Sequence, residues 1–589
     1  MVTRIFDFLD HQLQHYPLSD ALAGKEDGLW KKYSTQEVVA HTYNISAGLL
    51  ALGLKKDDKI AIISGNRPEW NICDMGMMQI GIVNVPIYPT LSESEFKFIL
   101  NDAEIKYVFV SDANLFQKIS SVKNEVPSLK EIYTFNHIAD AKHWSEIVKL
   151  GEQHKNNNNE VDEIKKSILS TDVATLIYTS GTTGVPKGVM LTHGNIVSNV
   201  LACWDLPPVK QSARALSFLP LCHVYERMLT SLYIYLGISV YYAATTDNLV
   251  EYIKELKPEI FSTVPRLLEK VYDKILEKGK EQKGIKKAMF FWALNLGLKF
   301  ELHGKNGWWY ERQLAIANKL VFVKWREALG GNVKAIVSGG AALQPRLARV
   351  FWSAKIVVLE GYGLTETSPV IAVNNTNKKD AVRFGTVGPV IPDVQVKFAE
   401  DGEILVKGPN VMKGYYKRDD LTREVIDTDG WFHTGDIGTF EENRFLKITD
   451  RKKEIFKTSG GKYIAPQAIE NKFKESLFIE QIMVIGENRK FPSALIVPAF
   501  AHLKKWCEIK GIPFSSNADG IKNPEVISRI KKEVDELNQN FGQTEQIKKF
   551  ELIDKEWTPD SGDLTPTLKL KRKIIAEKNK ALIEKIYGE

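Results

Sequence analysis

Short apolar runs alternate with stretches of helical periodicity along much of this chain. Four of these runs end in glycine or serine, at residues 59–65, 106–111, 334–339 and 356–361. Continuous apolar runs of this length are typical of buried strands. Their alternation with helices predicts a layered α/β fold, in which ligands bind at the carboxyl ends of the strands.

The pattern changes in the last third of the chain. Residues 394–408 alternate between apolar and polar positions around Asp401-Gly402, which predicts a β-hairpin. Beyond Asp450 the chain becomes lysine-rich. Because 589 residues exceed what one hydrophobic core usually supports, we expect at least two domains.

Composition is that of an ordinary globular protein, with 44% hydrophobic and 26% charged residues. The four cysteines have neither metal-site nor CxxC spacing, which predicts a reducing compartment. The first residues lack the apolar core of a signal peptide, and no apolar run approaches the roughly 18 residues of a membrane span. A net charge of +6 is too small for this length to indicate nucleic acid. We therefore expect a cytoplasmic protein.

The strongest chemical signal is the segment 178–189, Tyr-Thr-Ser-Gly-Thr-Thr-Gly-Val-Pro-Lys-Gly-Val, at the end of the apolar run 173–178. Glycines let backbone N–H groups approach an anion, hydroxyls add donors, and lysine adds charge. Lys187 is followed by Gly188 and not by Ser or Thr, so this is not a Walker A loop. We assign the binding of a polyphosphate to Thr179, Ser180, Gly181, Thr182, Thr183, Gly184 and Lys187.

Two further motifs follow predicted strands. Gly339, Gly340 and Ala341 would let the edge of an adenine meet backbone, although small residues in a tight turn explain the same letters. Residues 361–367 read Gly-Tyr-Gly-Leu-Thr-Glu-Thr.

The motif 361–367 carries more chemistry. Tyr362, between Gly361 and Gly363, offers a flat face to a purine, and Thr365 offers a hydroxyl to phosphate. Glu366 offers a hard oxygen ligand to Mg²⁺. The alternative is a buried tyrosine beside a helix start rich in threonine and glutamate.

Two later charges complete the candidate nucleotide site. Asp436 ends the segment 429–436 and suits two ribose hydroxyls, and Arg451 supplies a cation. Taken singly, these two residues could form a structural ion pair. The order along the chain of the four motifs downstream of the loop, at residues 339–342, 361–367, 429–436 and 450–454, favours a nucleotide site.

The segment 178–189, followed by these four motifs in this order, closely resembles the signatures of the acyl-adenylate-forming enzymes. Residues 219–227, 263–270 and 429–461 narrow the resemblance to long-chain fatty acyl-CoA synthetases, over nearly the whole chain. The resemblance implies a large N-terminal domain, with two helix-flanked sheets and a β-barrel-like part, and a small mobile α+β C-terminal domain. It places the domains at 1–451 and 452–589, with a hinge near Lys453. A solvated charge run is the alternative for Lys452 and Lys453.

The resemblance also implies the reaction. A fatty carboxylate attacks the α-phosphate of ATP, and Mg²⁺ on Glu366 together with Lys187 neutralises the phosphates. A C-terminal lysine approaches the reacting groups, and the matching position is Lys569. The family usually has Ser-Gly-Lys there, whereas this chain has Thr567-Leu-Lys569, so Lys571 remains a rival.

In the implied second step, the thiolate of CoA attacks the acyl-adenylate and AMP leaves. Ser459, Gly460 and Gly461 would line the pantetheine tunnel, although a simple turn explains the two glycines. His223 matches a position that lines the acyl site, and we assign it to positioning and not to proton transfer. A packed histidine is the alternative.

The segment 281–330 contains nine Lys and Arg, four Glu and nine aromatic residues. Such a segment can rest on an anionic membrane or can form an amphipathic helix pair packed on the core, and the sequence does not separate the two. The location we expect is therefore cytoplasmic, with a peripheral site on the inner face of the cell membrane left open. A homodimer is also left open.

Three readings of the function compete. The first is a long-chain fatty acid–CoA ligase that uses ATP, Mg²⁺ and CoA, which we prefer. The second is a fatty acyl-AMP ligase that loads a carrier protein. The third is a non-catalytic protein that binds fatty acid or nucleotide at a membrane.

Overall fold

A computed structural model describes residues 2–154, 158–180, 186–245, 248–559, 561–565 and 568–588. The chain divides into two compact units. The first contains Met1–Val396, Leu405–His433 and Glu442–Leu446, and the second contains Lys397–Ile404, Thr434–Glu441 and Lys447–Glu589.

The strands of the described residues are, in chain order, β1 Leu22–Glu26, β2 Leu29–Tyr33, β3 Lys59–Ile63, β4 Val83–Pro86, β5 Tyr107–Val110, β6 Glu131–Thr134, β7 Lys142–His143, β8 Val173–Ser180, β9 Pro186–Thr192, β10 Arg214–Ser217, β11 Ser239–Tyr242, β12 Ile260–Thr263, β13 Ala335–Ser338, β14 Val357–Gly363, β15 Val370–Val373, β16 Gln395–Phe398, β17 Glu403–Lys407, β18 Gly414–Tyr415, β19 Phe432–Glu441, β20 Phe445–Arg451, β21 Phe456–Lys457, β22 Tyr463–Ile464, β23 Ile479–Ile485, β24 Ser493–Pro498 and β25 Lys549–Leu552.

The α-helices of the described residues are α1 Asp7–His15, α2 Thr35–Ala51, α3 Pro68–Gln79, α4 Glu93–Asp102, α5 Ala113–Val122, α6 Ser145–Gln153, α7 Asn158–Ser167, α8 His193–Ala202, α9 Val224–Tyr235, α10 Leu249–Leu256, α11 Pro265–Glu281, α12 Gly284–Leu298, α13 Trp308–Ala317, α14 Val323–Ala328, α15 Pro345–Ser353, α16 Asp419–Val425, α17 Pro466–Phe473, α18 Phe500–Lys510, α19 Asn517–Gly520, α20 Pro524–Asn538, α21 Arg572–Lys578 and α22 Lys580–Tyr587. Short 3₁₀ turns occupy Lys123–Glu125, Leu302–Gly304 and Thr365–Thr367, and a π turn occupies Asn318–Phe322.

Two large sheets form the frame of the first unit. In the described chain, one has the order β15-β14-β13-β12-β10-β11-β1-β2 and the other has the order β18-β9-β8-β4-β3-β5-β6-β7. Their central strands pair in parallel, and antiparallel strands stand at the edges, where β14 pairs with β15 and β8 with β9. Strands buried on both faces read as continuous apolar runs, as β3 and β5 do.

The second unit has its own core. In it β23 pairs antiparallel with β24, and β24 pairs parallel with β25. The fully buried side chains of this core include Phe473, Leu495 and Ile530. A further sheet of described strands has the order β16-β17-β19-β20.

The sequence predictions of strands are confirmed. The four apolar runs form β3, β5, β13 and β14, and the run 173–178 forms β8, which continues to Ser180. The predicted hairpin is β16–β17, where Gly402 has φ +83° and its N–H donates to the carbonyl of Ala399 at 2.9 Å. The predicted α/β class, with one large and one small part, is confirmed.

Candidate active site

The strand pair β8–β9 holds the two ends of the predicted phosphate loop. Thr179 lies directly opposite Lys187, and Tyr178 lies opposite Gly188. The loop between the strands falls outside the described residues, and with it four of the predicted ligands, Gly181, Thr182, Thr183 and Gly184. Ser180 is described only by its backbone, as the last residue of β8. The pairing places the hydroxyl-bearing and cationic ends of the loop side by side.

A buried tyrosine connects two residues that the sequence assigned to different motifs. The hydroxyl of Tyr415 donates to Oε1 of Glu366 at 2.9 Å. The Nζ of Lys187 lies 4.7 Å from the centroid of the Tyr415 ring. The fold of the first unit therefore brings Lys187 and Glu366 to one place, around an aromatic residue that the sequence analysis had not selected.

The donor set around Glu366 fits a magnesium ion that is shared with substrate phosphates. Among the described residues, no cluster of three His, Cys, Asp or Glu could hold a metal ion on its own. Mg²⁺ usually binds proteins through one or two carboxylates and takes its other ligands from waters and phosphates. Glu366, half-buried on the turn Thr365–Thr367, is a carboxylate of this kind.

The two glycine-containing motifs lie at the carboxyl ends of two neighbouring strands. The parallel strands β13 and β14 pair Ser338 with Glu360, so Gly339 and Gly361, which come directly after the two paired residues, lie on neighbouring strands toward their carboxyl ends. Gly339 is buried, and a Cβ there would stand 3.1 Å from the Tyr225 ring. Gly340, with φ +82°, and Ala341 are exposed. An exposed backbone turn at a strand end is where a flat base can lie against main chain.

The second motif at this edge, residues 361–367, belongs partly to strand β14. Gly361, Tyr362 and Gly363 are half-buried, and the register of β14 with β15 shifts between Tyr362 and Gly363. A Cβ at Gly363 would stand 1.8 Å from the carbonyl oxygen of Pro369, so only glycine fits there. Thr365 is 9% exposed. This irregular end of β14 leads into the turn that bears Glu366.

The buried carboxyl of Glu360, on β14, makes the stability of the fold depend on pH. Burial raises the pKa of Glu360 from 4.5 to about 8. A carboxyl that binds its proton more tightly in the folded state stabilises the fold at low pH, and this stabilisation is lost as the pH rises from the unfolded pKa through the folded one. We expect Glu360→Gln to remove this contribution to the pH dependence of stability. Between pH 5 and pH 8 the free energy of unfolding of the variant should therefore rise by about 3 kcal/mol relative to that of the wild type. Thermal unfolding of both proteins across this pH range measures the change. A difference in Tm that stays constant with pH would contradict the raised pKa of Glu360.

His223 precedes helix α9 and caps it. Its Nδ1 accepts from the backbone N–H of Tyr225 at 3.1 Å, which leaves the ring proton on Nε2. The Tyr225 hydroxyl in turn donates to the carbonyl of Val337 on β13 at 3.0 Å. The bond from Tyr225 orients the half-buried ring of His223, two residues before the side chain that is bonded to β13. This arrangement suits a positioning residue.

The predicted ribose carboxylate and its cation lie together in the second unit. Asp436 is 6% exposed, and its Oδ1 lies 3.4 Å from Nε of Arg451. Arg451 also approaches Glu454, at 3.5 Å from Nη1 to Oε1. The ion pair that the sequence analysis gave as the alternative is therefore present. The binding of ribose by Asp436 stays a prediction.

A half-buried arginine that the sequence analysis missed extends this ion-pair chain. Arg572 donates from Nε to Glu454 at 3.0 Å and from Nη2 to both carboxylate oxygens of Glu470 at 2.7 and 2.6 Å. Because its partners Glu454 and Glu470 are more than 100 positions away, no local motif could have indicated it. The arginine ties the segment after the predicted hinge Lys453 to the start of helix α21.

The two candidate lysines lie just before α21. Thr565 donates its N–H to the carbonyl of Lys569 at 2.8 Å, and Thr565 Oγ1 accepts from the N–H of Lys569 at 3.1 Å. Lys571 donates its N–H to the carbonyl of Asp563 at 2.8 Å. Both side chains are half-buried. The backbone thus fixes the positions of both lysines within the second unit.

The predicted CoA segment forms an exposed turn between β21 and β22. Gly460 and Gly461 are exposed, and Gly461 has φ +79°, a conformation that favours glycine. Ser459 donates its N–H to the carbonyl of Arg489 at 2.9 Å. The turn explanation is therefore correct for the backbone, and the contact with CoA stays a prediction.

Comparison with known proteins supplies the family. The model of the AMP-binding enzyme family matches residues 9–416, and that of the AMP-binding enzyme C-terminal domain matches residues 453–589. The long-chain-fatty-acid–CoA ligase FadD15 of Mycobacterium bovis is 35% identical over 96% of this chain and 93% of its own length. The peroxisomal long chain acyl-CoA synthetase 7 of Arabidopsis thaliana is 33% identical over 96% of this chain and 83% of its own length.

A solved structure agrees with the fold. The anthranilate CoA ligase AuaEII, in complex with anthranoyl-AMP, superposes with a TM-score of 0.73 at 16% identity, over 98% of this chain and 97% of the other. The chain belongs to the AMP-binding enzyme family. The resemblance stated from the sequence motifs, the enzyme class and the overall reaction predicted from it are confirmed.

Proposed function

We propose that this protein activates long-chain fatty acids in two steps at one acyl site. In the first step the carboxylate oxygen attacks the α-phosphorus of ATP, the bond to the β-phosphate breaks, and pyrophosphate leaves. In the second step the thiolate of CoA attacks the acyl carbon, the bond to AMP breaks, and the thioester is released. The meeting of Lys187 and Glu366 around Tyr415 carries the proposal, because it joins a carboxylate to the cation that ends the hydroxyl-rich sequence 179–187.

The first step requires two anions to approach each other. The Lys187 ammonium would lie along the β- and γ-phosphates of ATP, and Thr179, directly opposite it, would add a hydroxyl donor. Bound Mg²⁺, on Glu366, would supply further positive charge to the leaving pyrophosphate. The protein contributes position and electrostatic stabilisation, which are the main sources of catalysis in reactions of phosphate esters.

The adenosine would be held by groups of three motifs. We assign the adenine to the exposed turn Gly339–Ala341 and the face of Tyr362, and the α-phosphate to Thr365. We assign the two ribose hydroxyls to the Asp436 carboxylate, whose Oδ1 lies 3.4 Å from Nε of Arg451. His223, fixed by its cap bond, would orient the acyl group.

The second unit would serve both steps. We propose that Lys569 neutralises the carboxylate and α-phosphate in the first step, and that rotation about Lys453 then brings the turn of Ser459, Gly460 and Gly461 to the pantetheine arm. A thin arm passes most closely where the backbone carries no side chains, as at the two exposed glycines. The domain division at 451/452 belongs to the same proposal.

Exchange of labelled pyrophosphate into ATP tests the first step. We expect exchange that depends on palmitate and Mg²⁺ and that proceeds without CoA, since the acyl-adenylate forms before the thiol enters. Acetate at the same concentration is the matched control for the acyl chain. Exchange that is absent with every fatty acid, or that proceeds without one, would refute adenylation of a fatty carboxylate.

We also propose a membrane contact for the segment 281–330. Four aromatic residues of the segment, Phe290, Tyr310, Phe322 and Trp325, are buried, so the packed helix pair exists. Two others, Trp308 and Trp309, are 69% and 63% exposed, and the aliphatic Leu320 is 47% exposed. Lysine and arginine side chains accompany them, and this combination suits an anionic lipid surface. Among the described residues, no helix is long and apolar enough to span a membrane.

The double variant Trp309→Ala, Leu320→Ala tests the contact. We expect it to bind vesicles with 30% phosphatidylglycerol about tenfold more weakly than the wild type, because two exposed apolar side chains no longer enter the interface. Co-sedimentation measures the bound fraction. Ile509→Ala, at a position 76% exposed in the second unit, is the control and should bind like the wild type. Equal binding by all three proteins would remove both the contact and the proposed location at the inner face of the membrane.

A further inference from the structure

The short strand β18 places one tyrosine against the end of the predicted phosphate loop. Tyr415 pairs with Val189 on β9, and the next N–H, of Tyr416, donates to the carbonyl of Gly188 at 2.8 Å. Lys187 immediately precedes this paired stretch. The hydrogen-bonded ladder therefore fixes the backbone of Tyr415 relative to that of Lys187.

The same segment also holds the turn that bears Glu366. The N–H of Met412 donates to the carbonyl of Glu366 at 2.8 Å, and the Tyr415 hydroxyl donates to Oε1 of its side chain at 2.9 Å. Both the main chain and the side chain of Glu366 are thus held from β18 and the residues before it. The contact uses only one of the two carboxylate oxygens of Glu366.

Tyr415 is suited to act as a donor. Its side chain is 4% exposed. Its hydroxyl donates to Glu366 at 2.9 Å, and a carboxylate can only accept this bond. A hydroxyl that donates to a charged carboxylate makes one of the stronger protein hydrogen bonds.

The ring of Tyr415 makes a second contact, with the ammonium of Lys187. Nζ of Lys187 lies 4.7 Å from the ring centroid, within the range of a cation–π contact. A tyrosine has few rotatable bonds, so a buried one holds its neighbours at small entropic cost. The ring limits where the long lysine side chain can go, and the hydroxyl limits how the carboxylate can rotate.

We propose that Tyr415 is a positioning residue, which orients the carboxylate of Glu366 toward Mg²⁺ and the ammonium of Lys187 toward the phosphates of ATP. The inference rests on the proposed function, since it takes the roles of Glu366 and Lys187 from it. Tyr415 itself touches neither substrate nor metal in this account. Its two effects reside in separate parts of the side chain and can therefore be separated by substitution.

Three variants separate these effects. Tyr415→Phe removes the hydroxyl and keeps the ring, Tyr415→Leu removes both, and Tyr416→Phe removes the hydroxyl of the neighbouring tyrosine as the matched control. The phenylalanine variant keeps the shape of the core, so the test does not depend on whether the leucine variant folds. Thermal unfolding of each variant checks its folding.

Calorimetric titration with ATP at several Mg²⁺ concentrations, without fatty acid, gives a readout other than turnover. For Tyr415→Phe we expect about tenfold more Mg²⁺ for half-maximal ATP affinity, and unchanged ATP affinity without Mg²⁺. For Tyr415→Leu we expect the same shift, with ATP affinity about threefold weaker even at saturating Mg²⁺, because Lys187 loses its ring. Tyr416→Phe should match the wild type.

Two results would overturn the inference. One is a Tyr415→Phe variant with the Mg²⁺ requirement of the wild type. The other is a variant with a lower Tm and lower ATP affinity but the same Mg²⁺ midpoint, which would make Tyr415 a residue of the core alone. Failure of the proposed function looks different, because the wild-type protein would then bind Mg²⁺ and ATP without palmitate-dependent exchange of pyrophosphate.

Discussion

Lys569→Ala is expected to lower the rate of acyl-adenylate formation by roughly 10²–10³-fold, the usual cost of removing one group that stabilises a transition state electrostatically. The reaction brings a carboxylate and a phosphate together, and without the ammonium their repulsion is no longer offset. The hydrogen bonds between Thr565 and Lys569 use backbone atoms and the threonine hydroxyl, so the substitution leaves the turn intact. Palmitate-dependent exchange of pyrophosphate measures the rate.

The second half-reaction provides an internal control for this variant. Supplied with synthetic palmitoyl-adenylate and CoA, Lys569→Ala should form palmitoyl-CoA at close to the wild-type rate, because the lysine is assigned only to the first step. Lys571→Ala is the matched variant, two residues away on the same segment, and should keep adenylation. The reverse result, with Lys571 essential and Lys569 dispensable, would transfer the role to Lys571.

Glu366→Gln is expected to reduce adenylate formation by roughly 10²-fold and to raise the Mg²⁺ requirement. Glutamine keeps the size of glutamate and an acceptor for the Tyr415 hydroxyl, which now lies 2.9 Å from Oε1. It removes the negative charge, which Mg²⁺ prefers among its ligands. The variant therefore isolates charge from shape, and steady-state rates over a Mg²⁺ series measure the effect.

Glu360→Gln serves as the control for this substitution. Glu360 lies six positions earlier, and burial raises its pKa to about 8, so its carboxyl is largely neutral at pH 7. Replacing it with the neutral amide changes little charge, and we expect adenylation near the wild-type rate. If Glu366→Gln and Glu360→Gln had equal, small effects, the metal assignment of Glu366 would be wrong.

The elements of this fold could be predicted from local sequence because their signal is local. The runs that form β3, β5, β13 and β14 are apolar over their whole length, since the strands are buried on both faces. The motif 361–367 was also recognisable in the sequence, but the end of the strand before it was not. Strand β14 continues through Tyr362 and Gly363, because these residues pair with β15. Backbone pairing between segments carries no signature in the letters of one segment.

The connections around the site show the same limit more clearly. The role of Tyr415 depends on contacts with Lys187 and Glu366, which belong to two distant motifs. Arg572, which is half-buried, is paired with Glu454 and Glu470, more than 100 positions away in the chain. In the sequence both residues look like ordinary surface or core positions. A charge or hydroxyl acquires its function from partners that only the folded chain brings near.

The most direct test of the central claim is a product assay with purified protein, palmitate, ATP, Mg²⁺ and CoA. We expect palmitoyl-CoA, AMP and pyrophosphate in equal amounts, with palmitoyl-adenylate accumulating only when CoA is left out. Palmitoyl-adenylate that accumulates in the presence of CoA, without thioester, would contradict the assignment as a fatty acid–CoA ligase and favour a ligase that loads a carrier protein.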